Sequence, residues 1–429
     1  MGGPARRRRR GRRRRPGRGL RRDGRRTATL RRAGRAPGAR TGDRSATGDP
    51  VTVLDALRPA VPGRFGSYPV EDVTWLLTDL SGVALERGTQ DREEAIQGGV
   101  HYSEMLPVEY QPDAAYLDLF TAALAQSADR LATAVGLVGE LVWGAAAEHG
   151  VPPVLVSLAR AGTPVGVLLR RWFLASRGVD VPHYTISIVR GRGIDEVALA
   201  HVLDRHPAAA VRFVDGWTGK GAIQRELTEA VAGWRARHAE HAALDDRLAV
   251  LADPGACTDL YGTRDDFLIP SACLNSTVSG LVSRTVLRDD LIGPGMFHGA
   301  KFYAEHADGD VSRLFVDTVA GRFGSVAGAV AAALPAHAAA DRSPTWAGWA
   351  AVSRIAEEHG IGDVNLVKPG VGETTRVLLR RVPWRVLVHP GRIEDLRHVR
   401  ALADARGVPV LEVPDLPYSC VGLIRPVRA

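Results

Sequence analysis

The segment Asp215–Ala222 (DGWTGKGA) carries residue types suited to gripping a phosphate. It follows Ala209–Val214, which reads as a strand, and precedes a helix over Ile223–His238. A parallel strand would deliver Asp215 to the carboxyl edge of a sheet. Gly216, Gly219 and Gly221 would let backbone N–H groups approach an anion, and the helix N-terminus would add partial positive charge. Thr218 offers a hydroxyl, Lys220 a compact charge and Ala222 the first turn of the helix. This is not a Walker loop: Val214 stands where that motif needs Gly, and Gly221 where it needs Ser or Thr. An ordinary Gly-rich β–α turn is the competing reading.

A second turn ends the apolar strand Val154–Leu158 and leads into a helix over Pro164–Arg177. Alone, Arg160, Ala161 and Gly162 read as the start of that helix. Paired with the first turn on one sheet edge, they would hold the other end of a ligand with two phosphate groups. Composition points the same way. Of 56 basic residues only Lys220, Lys301 and Lys368 are Lys, and the only Asn are Asn275 and Asn365. In a background so shifted to Arg, a surviving Lys or Asn is a candidate for a required role, although three residues can also survive by chance. Lys is a point charge and Arg a planar fork, so the two are not interchangeable at a phosphate.

Further candidates for the cleft are His101 and Glu104 in HYSEMLPVEY, Arg190 and Arg192 in the RGRG loop, and Cys273 with Asn275 in PSACLNS. His298 and Lys301 in MFHGAKFY join them. The plain alternatives are a polar surface loop, solvated charges and a buried structural cysteine. A thiol protease would use Cys273 with His298 or His101, which requires a Cys–His contact and an oriented base.

The elements that must position these residues alternate. Strands are expected at Val154–Leu158, Tyr184–Val189, Ala209–Val214 and Arg247–Ala252, with helices between them. That alternation predicts an α/β fold, a parallel sheet with helices on both faces and ligands at the carboxyl ends of its strands. Asp113–His149 reads as one or two helices. Ala336–Pro344 reads as a linker, and the last 85 residues as a small αβα domain. The organisation expected is a disordered tail over 1–50, an α/β domain over 51–335 and a C-terminal domain over 345–429.

The chain has 429 residues and a net charge of +8. Nineteen Arg and three Asp give residues 1–50 a net +16, which leaves −8 on the remaining 379. The tail would bind nucleic acid through phosphates, or else reflects an over-extended reading frame in GC-rich DNA. The apolar run Gly324–Leu334 is too short to cross a bilayer, so no membrane partner is expected. Three scattered Cys fit neither a disulfide framework nor a zinc site, and a reducing cytoplasm follows as the expected location.

The order of turns resembles type I phosphoribosyltransferases. The resemblance implies that Thr218, Gly219, Lys220, Gly221 and Ala222 cradle the 5′-phosphate of phosphoribosyl pyrophosphate. It implies that Arg160, Ala161 and Gly162 hold the pyrophosphate. Asp215 would contact the ribose as the catalytic acid, with Mg²⁺ nearby. Those enzymes carry two adjacent acids, and here Gly216 stands in the second place.

More narrowly, HYSEMLP, SLARAGTPVGVLL, VDGWTGKGAI, PSACLNSTVSGLVSRT and FHGAKFY resemble a phosphoribosyltransferase-like family found beside bacterial tellurium-resistance and stress genes. That family is also labelled cysteine protease StiP. VNLVKPGVGETTRVLLRR with RVLVHP resembles the Pelota/L7Ae-like RNA-binding domain. The likeness implies RNA contacts from Lys368, Gly370, Gly372, Glu373, Thr374 and Arg376. The leading expectation is a phosphoribosyltransferase fused to an RNA-binding module. Its alternatives are a non-catalytic nucleotide- or RNA-binding protein, and a cysteine protease using Cys273.

Overall fold

The computed structural model describes residues 57–425, apart from 89, 90, 92, 93, 96, 97 and 110. The Arg-rich tail at 1–50 lies outside the described residues. Among them the main sheet has six strands: β1 (Thr74–Trp75), β2 (Val154–Leu158), β3 (His183–Ile186), β4 (Val211–Trp217), β5 (Leu248–Ala252) and β6 (Tyr261–Thr263). Their order is β6-β5-β4-β2-β3-β1, and every pairing is parallel.

Strand alternation splits the apolar residues between two faces. Val154, Val156 and Leu158 pack in one core cluster with Phe213 and Val250, while Leu155, Val214 and Leu251 pack in the other. The helices α1 (Ala114–Ala147) and α2 (Thr163–Arg177) cover the second face, and α3 (Glu196–Leu203) and α4 (Ala222–Arg237) the first. The expected α/β arrangement, a parallel sheet with helices on both faces, is therefore present.

One helix, α1, spans the stretch read as one or two, and Asp113 caps it by accepting the Tyr116 N–H at 3.0 Å. By length and apolarity α1 could cross a bilayer, but 67% of its most apolar stretch is buried inside the protein. Phe120, Leu131, Val135, Val138 and Val142 account for that apolarity as core, each contributing roughly 1.5–3 kcal/mol of burial.

Some boundaries differ from expectation. The strand expected over Tyr184–Val189 ends at Ile186, and Ile188–Val189 pairs instead with Gly193–Ile194. The strand expected over Ala209–Val214 continues to Trp217 because Asp215 and Trp217 still pair with Val250 and Ala252 of β5. The stretch read as a linker, Ala336–Pro344, begins inside a helix: after α5 (Ser312–Ala320), α6 (Phe323–Ala339) runs through Pro335.

Beyond α7 (Ala347–Glu358) the C-terminal region builds its own sheet rather than a bare αβα unit. Its strands β7 (Val367–Pro369), β8 (Pro383–Val388), β9 (Val410–Glu412) and β10 (Cys420–Ile424) run in the order β7-β10-β8-β9. Helices α8 (Val371–Arg380) and α9 (Arg397–Ala405) pack on it. Residues 57–425 fall within one compact unit, so this module and the main sheet can be described together.

Candidate functional site

The Lys220 loop is fixed from below. Gly221 starts α4 at φ 71°, the left-handed region that glycine adopts without strain. Asp253, fully buried just past β5, accepts the Thr218 hydroxyl, the Arg264 guanidinium and the N–H groups of Cys257 and Thr258, both at 2.9 Å. Burial pushes the Asp253 carboxyl upward, and these donors oppose the shift. The Thr218 hydroxyl proton is thereby committed to Asp253. Thr218 braces the loop from within, and it also lines the compartment around Lys220.

A cleft of about 540 Å³ opens over the carboxyl ends of β2 and β4. It brings together Asp215 from the first turn, Arg160 and Ala161 from the second, and Lys368, Glu373 and Arg376 from the C-terminal module. A compartment of about 290 Å³ around Arg190 and Thr218–Ala222 shares Lys368 and Glu373 with it. The two turns thus meet one cleft, and the module supplies its other wall. Asn275 also lines it. Gly162 sits behind the lining, where a Cβ would come within 2.9 Å of the Leu158 backbone nitrogen.

Charge in the cleft is mixed, with a cationic surplus. Arg160, Arg284, Lys368, Arg376 and Arg381 face Glu109, Asp215 and Glu373 among the described lining residues. Burial pushes the Asp215 carboxyl up to about 7, with only its own Gly216 N–H (2.7 Å) acting the other way. Burial, with Lys368 and Arg190 nearby, brings the Lys220 ammonium down to about 8. Burial also lowers Lys368. For Glu373 burial acts upward, but Arg376 and Lys368 hold the carboxyl below its usual range. Glu109 pairs with Arg160 at 3.4 Å and accepts the Ser276 N–H at 2.8 Å. Glu373 pairs with Arg376 at 3.0 Å. This donor set fits the expected Mg²⁺ poorly: the two glutamates are engaged by arginines, which leaves Asp215 as the one carboxylate of the described lining without an arginine partner.

The module is bolted to the loops. Lys220 Nζ donates to the Val364 carbonyl at 3.0 Å and to Asn365 Oδ1 at 3.2 Å. Tyr418 Oη donates to the Gly219 carbonyl at 2.9 Å. Asp266, buried, accepts the N–H groups of Val371 (2.9 Å) and Ser419 (2.8 Å). Arg376 Nε donates to the Ala272 carbonyl at 2.8 Å. Gly370, at φ 84°, lets β7 turn into α8 directly over Trp217, where a Cβ would lie 2.5 Å from the indole. Of the residues expected to face RNA, Lys368, Gly372, Glu373 and Arg376 line the cleft or its compartments. Thr374 is fully buried, its hydroxyl donating to the Lys368 carbonyl at 3.4 Å, and so faces the core.

Several other candidates are placed elsewhere. His298 is buried, with Nδ1 2.9 Å from Ser187 Oγ and its N–H donated to Asp195 at 2.6 Å; burial lowers its pKa. His101 Nδ1 engages Ser103 Oγ at 2.8 Å. Arg192 pairs with Glu104, and Lys301 with Glu86 at 2.8 Å. Cys273 has no exposed surface and sits in the core cluster with α1 residues. None of these six is among the described residues lining the cleft. Glu109, Arg284, Arg381, Trp217 and Phe267 were not singled out by sequence. Four of them lie inside segments the sequence did mark (Trp217, Glu109, Arg284 and Arg381), but nothing local separates them from their neighbours, and an Arg is uninformative in an Arg-rich chain; Phe267 lies outside every marked segment.

Comparison with known proteins supplies the family. Residues 66–320 match the model described as tellurite-like stress resistance cysteine protease StiP, and residues 346–426 match the PELOTA RNA binding domain. The chain is 36% identical over 384 residues to a protein of Acinetobacter baylyi named cysteine protease StiP, covering 85% of this chain and 94% of that one. No solved structure matches.

The expected phosphoribosyltransferase function is corrected by these findings: the family and the relative are both named as a cysteine protease. The departure noted in the sequence stands beside them: Gly216, not a second acid, follows Asp215. The stress-resistance family and the Pelota module expected from the sequence are both present. This chain belongs to the StiP family and carries a Pelota RNA-binding domain at its C-terminal end.

Proposed function

We propose that the chain binds RNA in a stress-resistance role, gripping the phosphates of a single-stranded segment in the cleft between the sheet and the Pelota module. One observation carries this reading: Lys368 and Arg376 of the C-terminal module line the cationic cleft, and Lys220 of the sheet lines the compartment that adjoins it through Lys368. Backbone phosphates are the ligand such a surface holds without reading sequence. A single strand with splayed bases is the form of RNA whose backbone and bases can both reach a cleft walled by two modules.

Fluorescence anisotropy with a labelled single-stranded RNA and its duplex tests the reading. Single-stranded RNA should bind in the micromolar range at low salt, and Lys368→Ala should weaken it about tenfold. Absence of binding at about 0.1 mM protein would overturn it.

A second reading, a cysteine protease, is favoured by the names of the family and the relative. Its nucleophile would be Cys273, which follows Ser271 and Ala272 of the cleft-side turn Pro270–Cys273. A buried thiol needs a rearrangement before it can attack a peptide bond. If Cys273→Ala abolishes tellurite resistance in cells while RNA affinity is intact, the protease reading replaces the first.

A further inference from the structure

Beside the main cleft lies a smaller compartment of about 190 Å³ that no phosphate contact requires. Trp217, Phe267 and Ile269 form its apolar walls, and Asp215, Ser271, Glu373 and Arg376 its polar edge. Asp215 and Arg376 belong to the main cleft as well, so one ligand can occupy both spaces.

The walls are rigid. Trp217 is the last residue of β4, held in register with Ala252, and its indole lies against Gly370. Phe267 lies beneath the Arg130 guanidinium, 3.9 Å from its ring centre. The polar edge is fixed too. Three of the five Arg376 N–H groups are used on the carbonyls of Ala272 and Leu274 and on Glu373, which leaves two for a ligand. Gly372 narrows the compartment: a Cβ there would lie 2.8 Å from that of Ala272.

Chemistry selects the occupant. An aliphatic group would cover the rings but offer nothing to the remaining Arg376 N–H groups or to the free Asp215 oxygen. A bare phosphate would satisfy Arg376 but sit against indole and phenyl faces. A flat ring with hydrogen-bonding edges meets both demands. We infer that the compartment between Trp217 and Phe267 receives a nucleobase of the phosphate-bearing ligand, with Arg376, Ser271 and Asp215 reading its edge. This rests on the proposed phosphate-gripping cleft and adds to it a site for the base.

Isothermal titration of the full chain with nucleoside 5′-monophosphates and with glycerol 3-phosphate separates the two ideas. At least one nucleotide should bind about tenfold tighter than glycerol 3-phosphate. Ser271→Phe, which fills the compartment, should erase that advantage and leave glycerol 3-phosphate affinity unchanged. Phe267→Leu, which keeps an apolar wall but removes a ring face, should reduce the advantage severalfold. If nucleotides and glycerol 3-phosphate bind equally, or the advantage survives Ser271→Phe, the base site is wrong while the phosphate cleft stands. If no phosphate compound binds, the proposed function falls with it.

Discussion

Lys220 and Asn365 hold one another across the seam between the main sheet and the Pelota module, Nζ donating to Oδ1 at 3.2 Å. One is among three Lys, the other among two Asn, in a chain where Arg has taken most basic positions. A guanidinium in place of Lys220 would need a wider socket between the Val364 carbonyl and Asn365. Lys220 has one further N–H for a ligand after these two bonds.

Lys220→Met should therefore weaken single-stranded RNA binding about tenfold and lower the salt slope of log affinity by about 0.7, the value for one lost phosphate contact on a single strand. Asn365→Ala, which removes a brace and not a charge, should cost less than about threefold and leave the slope unchanged. Anisotropy titrations across a salt series check both. An unchanged slope for Lys220→Met would place its ammonium away from the phosphates.

The pH dependence has a defined sign. As pH rises through about 7 Asp215 loses its proton, and through about 8 Lys220 loses its own; both changes make the cleft more negative. The charge of a phosphodiester is constant over this range. RNA affinity should thus fall between about pH 6 and pH 9, with Asp215→Asn removing the step near neutrality. The same raised carboxyl makes the folded state lose stability as pH climbs from near 4 through about 7. Over that window Asp215→Asn should gain on the parent by at most about 1.4 kcal/mol per pH unit, read by urea denaturation at several pH values.

The alternating pattern made the parallel sheet legible, because Val154–Leu158 and Leu248–Ala252 are short apolar runs bounded by turns. The two turns and Lys368 were legible for a similar reason: glycine and rare lysine mark them locally. Other features were hidden. Strand β7 is only three residues long, and β7 and β10 pair with each other across some fifty residues, a pairing no local pattern shows. Asp253 and Asp266 look like ordinary loop acids, and only the fold reveals them as the acceptors that fix the Lys220 loop and dock the module. Sequence also placed Thr374 at a ligand, whereas packing turned its hydroxyl inward.

Asp266 carries a prediction of its own. Its two carboxylate oxygens accept N–H groups from the first residue of α8 and from Ser419, and its carbonyl accepts the Ser419 hydroxyl at 2.6 Å. Asp266→Ala strands two buried donors and should cost about 2–4 kcal/mol. Asp266→Asn keeps one acceptor and should cost about half as much. Urea denaturation of the full chain measures both; a loss under about 1 kcal/mol for the alanine variant would mean that the module docks mainly by apolar contact.

The last prediction bears on the protease reading. The thiolate is the nucleophile, and burial, followed by the nearby Asp253 carboxylate, pushes the Cys257 thiol up to about 12. Burial and Asp266 push Cys420 upward too. Native Cys257 should react with iodoacetamide at neutral pH on the order of a thousandfold more slowly than free cysteine. Mass spectrometry of alkylated peptides, native against urea-unfolded, reads each cysteine separately. Cys273, on the turn beside the cleft, is the remaining thiol for a protease mechanism. Selective labelling of Cys273 in the native chain would show that its burial opens readily enough for attack. Equal protection of all three would leave the family's protease chemistry without a nucleophile in this conformation.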